Sequence, residues 1–486
     1  MKMTFLLICN GLRGCFRRNR HPCGSRAGPG PGSPPAAQGS VLVGLLWCLT
    51  LLSVVVIGVL HTSRMDLLVL KNYGDKIQAH YLARAGVEKA KALLYREARE
   101  RSRTSLSHSG GLYDAPDQFR DIRLGRGQFR VFRRGRPDEG GALLYGVSDE
   151  ESRLNVNEAS SDELSRLPDM TPDIVAALVD WRDADNQVTP GGAEADYYLS
   201  LRPPYVPRNG PLQTLRELLM VRGVSRDLLL GRDLHLNGLL DASEEDGNEV
   251  AVDVLDTGWA GLLTVNSSVN NVNAGGYERV NIQTADEAAL TGVKGITPDI
   301  AKAIIAWRRQ NRFGSIADLL DVVAARSDNP PGSPANANPG PGPAPANAPA
   351  ANPSGPKVIS DSLLMDMADD LTTQSGEDLP GVVNINTASL EVLACLPGLS
   401  RELAQAIISF RQSSGFFPNI AGLLRVPGMT PDSFKQVAPR VTARSETFCI
   451  LSEGKISSTG ARQRLQEIVH VGLRSVTTVS YREDDL

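Results

Sequence analysis

SVLVGLLWCLTLLSVVVIGVL, residues 40–60, runs for 21 positions without a charge. At about 1.5 Å of rise per residue such a helix crosses a hydrocarbon core of roughly 30 Å. It reads as one membrane helix. Upstream, residues 1–39 form a basic leader holding Lys2, Arg13, Arg17, Arg18, Arg20 and Arg26 and no acidic residue. The positive-inside rule therefore puts residue 1 in the cytoplasm and everything after about residue 62 on the far side. A secretory signal peptide has a shorter apolar core placed nearer the start. Downstream, residues 65–101 keep Met65, Leu68, Ile77, Tyr81, Val87, Leu93 and Leu94 apolar among charges, with no proline. One helix, half in lipid (40–60) and half in water (61–102), is expected.

Past this helix the chain repeats itself. LNVNEASSDELSRLPDMT (154–171), VNIQTADEAALTGVKGIT (280–297) and VNINTASLEVLACLPGLS (383–400) align without a gap. PDIVAALVDWR (172–182), PDIAKAIIAWR (298–308) and RELAQAIISFR (401–411) then share helical periodicity and end on an aromatic residue followed by Arg182, Arg308 or Arg411. Ala159, Leu164 and Leu167 recur as Ala285, Leu290 and Val293 and as Ala388, Leu393 and Leu396, which makes a core stripe. Gly295 and Gly398 suit the positive φ of a helix end. Thr171, Thr297 and Ser400 suit an N-cap, and Pro172 and Pro298 a first helical turn. Half-units follow in LRELLMVRGVS (215–225), IADLLDV (316–322) and IAGLLRVPGMT (420–430). The whole is a repeated helix, tight turn, helix, similar to helix-hairpin-helix modules.

Flanking these helices are strands: GQFRVFRR (127–134) and ALLYGVS (142–148), joined around RPDEGG, then SETFCILSEGKI (445–456) and QEIVHVGLRSVTTVSYRE (466–483). LLTVNSSVNNVN, within 240–279, adds an irregular strand. Residues 327–357 are nearly all Pro, Ala, Asn, Gly and Ser, a composition that cannot bury a core and reads as a flexible linker. Asp180, Asp183, Asp185, Glu194 and Asp196 gather around a Gly-Gly turn at a helix end, where the dipole disfavours carboxylates. Hard oxygens on a loop suit calcium; a solvated acidic loop is the other reading, and Gln187 and Val188 break any EF-hand pattern.

The basic leader, the Gly39-Ser40 junction at the edge of the apolar helix and the soluble continuation of that helix resemble type IV pilins and pseudopilins, in which a prepilin peptidase cuts after such a glycine. No Lys or Arg directly precedes Gly39 here. Counting from Ser40, the fifth residue is Gly44 where most such subunits carry glutamate. That absence resembles the minor pseudopilin K family of type II secretion systems, as does DWRDADNQVTPGGAEADYYLSLRPPYVPRNGPLQTLRELLMVRGV (180–224). The resemblance implies an α+β fold: an N-terminal transmembrane long helix on a small antiparallel sheet (103–157 and 445–486) with a large all-α domain of hairpin repeats inserted between its strands (158–444). It implies structural calcium held by Asp183, Asp185 and Glu194, with Asp196 and Asn209 beside them. It further implies a tip position in an inner-membrane apparatus, with other minor pseudopilins, the secretion platform and exported proteins as partners.

Function classes narrow accordingly. The formal net charge is −4, and the leader's six cations leave about −10 on the rest, a poor polyanion binder. The sharpest rival is an envelope DNA receptor for uptake, yet Asp173, Asp299 and Glu402 open the second helices, where they repel an approaching phosphate. The six histidines are scattered, and no phosphate loop, GxSxG or HExxH occurs, so no catalytic activity is expected. Cys395 and Cys449 are the two cysteines of the body and read as small buried hydrophobes, with a bridge the alternative.

Overall fold

The computed structural model describes residues 39–104, 110–236, 238–239, 255–324 and 356–484. The leader up to residue 38 and almost all of the Pro/Ala/Asn-rich linker lie outside them. A single helix runs from Gly39 to Thr104. Its first part, to Val69, forms one compact unit and is apolar enough to cross a membrane. The rest of the chain, from Leu70, forms the other unit, the body.

Within the body the helix buries Ala79, Leu82, Ala83, Val87, Ala90, Leu94 and Ala98, at steps of three or four except for the adjacent pair Leu82-Ala83, so one stripe faces the sheet. The approach is close. A Cβ on Gly454 would meet Ala79 O at 2.0 Å, and one on Gly86 would meet Ser452 Oγ at 2.2 Å. Glycine at 454 lets strand and helix backbones touch, and glycine at 86 makes room for the Ser452 and Phe129 side chains.

The sheet under this helix is antiparallel, in the order Ile122–Leu124, Gly127–Val131, Thr447–Ile456, Arg462–Val471, Val476–Asp484, with Ser148–Asp149 also on Thr447–Ile456. Strands from before and after the repeats thus share one sheet, as the family resemblance implies. The alternating stretch 127–134 divides: it leaves the sheet after Val131, and Arg133–Arg134 pairs with Leu143–Leu144 in a hairpin around residues 135–142. The stretch 466–483 divides too, turning at Gly472 between two long strands.

Each repeat unit is closed by a two-residue parallel pairing: Leu154–Asn155 with Leu263–Thr264, Val280–Asn281 with Leu371–Thr372, Val383–Asn384 with Val441–Thr442. These short strands, and an antiparallel pair Ser268–Asn270 with Asp378–Pro380, lie among the helices of the insertion. The expected core positions are buried in all three copies, Ala285 only partly. Thr171, Thr297 and Ser400 accept from the third following amide as caps. The repeated arginines close each unit on itself: Arg182 donates to Val156 O and Ala159 O, Arg308 to Ile282 O and Ala285 O, Arg411 to Ile385 O and Ala388 O.

The insertion is tied to the sheet where it leaves and returns. Asp149 accepts from Asn384 Nδ2 at 3.1 Å and from the hydroxyls of Thr387 and Ser445. The buried Arg411 also pairs with Asp138 of the sheet-side hairpin at 2.9 Å. Cys395 and Cys449 are buried and unbridged, and burial pushes their thiols up to about 12 and about 11.

Candidate metal centre and the exposed helix face

Pro172–Arg182, capped by Thr171, buries Ile174, Val175, Ala177, Leu178 and Trp181, which fixes its last turn in the core. Asp180 lies in that turn, fully buried, and accepts from Thr189 N at 3.1 and 3.2 Å. Asp183 ends the helix. The chain then loops out and returns through Gly191-Gly192 to Glu194, which precedes the next helix, Ala195–Ser200. Gly192 has to be glycine for this return: a Cβ there would sit 2.0 Å from Asp180 Oδ2.

Ligand atoms of Asp180, Asp183 and Glu194 lie within 4.8 Å of one another. Asp183 Oδ1, both Glu194 carboxylate oxygens and Asn209 Oδ1 are buried and accept no hydrogen bond. Asn209 instead donates through Nδ2 to Asp185 O at 2.7 Å and Asn186 Oδ1 at 2.9 Å. Burial, then repulsion from Asp185 and Asp180, raises the Asp183 carboxyl. Glu194 is raised by burial and by Asp180, Asp183 and Asp185. The neighbouring cations are engaged elsewhere: Arg182 on the carbonyls above, and Arg222 on Gly192 O at 2.7 Å and over the Tyr197 ring. Three clustered carboxylates, of which Asp180 alone has a donor in Thr189 N while Asp183 Oδ1 and both Glu194 oxygens have none, fit a hard divalent cation.

The structure therefore brings together Asp183 and Glu194, while Asn209 is held beside the loop by Asp185 O and Asn186 Oδ1 with its own oxygen buried and unpaired. Asp185 is exposed, with its carboxylate turned to Gln187 N at 2.8 Å, and Asp196 is exposed on the first turn of the following helix. Asp180 joins the cluster from inside the helix. Its signal in the sequence was position: it precedes Asp183 by three residues, one helical turn, on the same face.

A second feature is the body's helix surface. Leu70, Tyr73, Ile77 and Tyr81 recur at three, four and four residues and stay 65%, 66%, 40% and 62% exposed, an apolar stripe that the sheet does not cover.

Comparison with known proteins covers the acidic loop. The family described as type II secretion system (T2SS), protein K, matches residues 152–231, the segment that holds Asp180, Asp183, Glu194 and Asn209. Residues 152–231 are thus similar to type II secretion system protein K. The helix-hairpin-helix motif family matches residues 275–324 and 381–442, most of the second and third units. Among relatives, the mouse endonuclease/exonuclease/phosphatase family domain-containing protein 1 is 29% identical over 167 residues, 34% of this chain and 28% of that protein. ComE operon protein 1 of Bacillus subtilis is 34% identical over 73 residues, 15% of this chain and 36% of that protein. The chain thus spans about a third or less of the curated relatives it matches. A solved complex, GspK-GspI-GspJ from the enterotoxigenic Escherichia coli type 2 secretion system, is similar at a TM-score of 0.42 and 12% identity, over 86% of this chain and 99% of that one. Within residues 152–231 the hairpin turns are already satisfied internally, because Thr171 caps Ile174 N and Ser225 caps Leu228 N.

Proposed function

We propose that this chain is a minor pseudopilin at the tip of a type II secretion pseudopilus, where it initiates or caps assembly and supports export of proteins across the outer membrane. The protein K match across the metal loop carries this reading. The long helix supports it: residues 40–60 anchor the chain in the inner membrane, with residue 1 cytoplasmic and the body periplasmic, and the Leu70–Tyr81 stripe packs against the helices of sister minor pseudopilins. The role is non-catalytic. Gly44 stands where a glutamate would meet the terminal amine of a subunit ahead, and a tip subunit has no such neighbour. Gly39-Ser40 is the processing site. Calcium bound by Asp180, Asp183, Glu194 and Asn209 fixes the loop of residues 184–193 and does no chemistry. The secretion platform and exported proteins are further partners.

A test is co-extraction of the full chain from cells making the whole apparatus, comparing wild type with a Tyr73→Glu, Ile77→Glu variant. Recovery of sister subunits is expected to fall about ten-fold in the variant. Recovering the wild-type protein alone after gentle extraction would sink the reading.

The hairpin motif matches and the ComE operon relative favour a second reading, an envelope DNA receptor. The acidic first turns at Asp173, Asp299 and Glu402 oppose it. Salt-sensitive DNA affinity tighter than about micromolar for the detergent-solubilised chain would decide in its favour.

A further inference from the structure

The last strand, Val476–Asp484, pairs on one side with Arg462–Val471 and, among the described residues, has no strand on its other side. Edges of this kind are normally blunted by shortness, by proline, by charge or by a bulge, and of these the stretch 476–481 carries only a bulge. The opposite edge, Ile122–Leu124, is three residues long. The last strand is nine residues long and begins VTTVSY, six uncharged residues, four of them β-branched. Thr477, Thr478, Val479, Ser480 and Tyr481 are all exposed. Val479 is the extra residue of a bulge: the register runs from Val469↔Thr478 to Ile468↔Ser480 and leaves it without a partner.

This edge lies beside the body part of the long helix. Lys91 pairs with Glu467 of the neighbouring strand at 2.5 Å and donates to Thr478 Oγ1 at 3.4 Å. Tyr95 OH donates to Arg474 O at 3.4 Å, and His80 lies 3.8 Å from Glu483. The strand therefore runs alongside residues 80–95, adjacent to the stripe that ends at Tyr81. Unpaired backbone amides and carbonyls in a row are satisfied by another strand more fully than by side chains.

We propose that the outer edge of Val476–Tyr481 is a strand-pairing site that takes an extended strand from a sister pseudopilin whose long helix packs along Leu70–Tyr81. This rests on the assembly role above. A subunit built as a helix on a sheet and seated on the stripe carries its own sheet to this edge, so one partner covers both surfaces. A free exported chain has no such helix to hold it in register.

The test uses the full chain in cells making the whole apparatus, with a photo-crosslinking residue at Val479, at Ile77, or at Leu124 on the opposite edge. Crosslinks to one sister subunit are expected from Ile77 and Val479, about ten-fold above those from Leu124. In the extracted complex, amide exchange over 476–481 is expected to slow at least ten-fold relative to the chain alone, and Val479→Lys is expected to abolish that slowing while the Ile77 crosslink persists. A crosslink from Ile77 with none from Val479, or exchange that does not change, overturns the edge site and leaves the helix contact standing. No crosslink from either position overturns the assembly role itself. Crosslinks from Val479 to a second copy of this chain, or to an exported protein, overturn the assignment of the partner.

Discussion

Asp183 Oδ1, the Glu194 carboxylate and Asn209 Oδ1 are buried acceptors with nothing donating to them, and each carries a desolvation cost until a cation arrives. The raised carboxyls of Asp183 and Glu194 fix the sign of the pH dependence. Without metal, folding takes up protons here. Stability contributed by the protonated form is full below the ordinary carboxylate range and is lost as pH rises through the higher folded values. Calcium needs the ionised form, so its contribution grows over the same interval. At a hundred times its dissociation constant, calcium adds about 2.7 kcal/mol, or roughly 5 °C in Tm. We expect Asp183→Asn with Glu194→Gln to raise the metal-free Tm at neutral pH, to flatten its fall as pH rises above the ordinary carboxylate range, and to remove the calcium increment. Differential scanning fluorimetry with calcium or chelator reads all three, and a double variant that keeps its calcium response would exclude this site. The density of acids around Gly191-Gly192 made the loop legible in the sequence. Which carboxylates converge was not, because that is set by the buried helix end that holds Asp180 and by the turn that faces Asp185 to Gln187 N.

The hairpin elements show what repetition discloses and what it hides. Caps, first-turn prolines and core stripe were readable because each follows from local chemistry at a fixed offset. The reason for Arg182, Arg308 and Arg411 was not, since each side chain reaches carbonyls 23 and 26 residues back in the chain. Nor does strand alternation mark where a strand departs: Arg133 leaves the sheet because its guanidinium is held by Tyr113 O at 2.8 Å and by Glu139. In the hairpin turns, Gly295 and Gly398 sit at φ 94° and 74°, while the first copy places Asp169 at φ 56°. A left-handed conformation costs a residue with a Cβ roughly 1 kcal/mol relative to glycine. Asp169→Gly is therefore expected to stabilise the body by about 0.5–1 kcal/mol, although most substitutions destabilise. Urea unfolding followed by tryptophan fluorescence checks it, Trp181 and Trp259 being buried in the same unit; a lower midpoint would mean that the Asp169 side chain supports the turn in a way its backbone does not reveal.

For the body as a whole, the three units are homologous in build but not in what interrupts them. The first and third join their second hairpins through Gly223 and Gly428, at φ 85° and 88°. The second unit has residues 325–355 at that place, between Ile316–Asp321 and Asp361–Met367. The two chain ends meet there: Val323 bridges Lys357, Ala324 N donates to Pro356 O at 3.0 Å, and Val358 N donates to Val322 O at 3.0 Å. Farther in, Leu319, Leu320, Ile359 and Leu364 are buried in the shared core. The hairpin is thus closed by its own flanks, and the Pro/Ala/Asn-rich composition of 325–355 implies a contribution mainly of loop-closure entropy. Replacing its 31 residues by four shortens the loop through about three halvings, each saving roughly 0.6 kcal/mol, for a gain of roughly 2 kcal/mol. We expect a Gly-Ser-Gly-Ser replacement of 325–355 to shift the urea midpoint upward with an unchanged slope and to leave the calcium increment intact. A midpoint lowered by more than about 1 kcal/mol would show that the segment contributes contacts of its own, beyond the entropy assigned to it here.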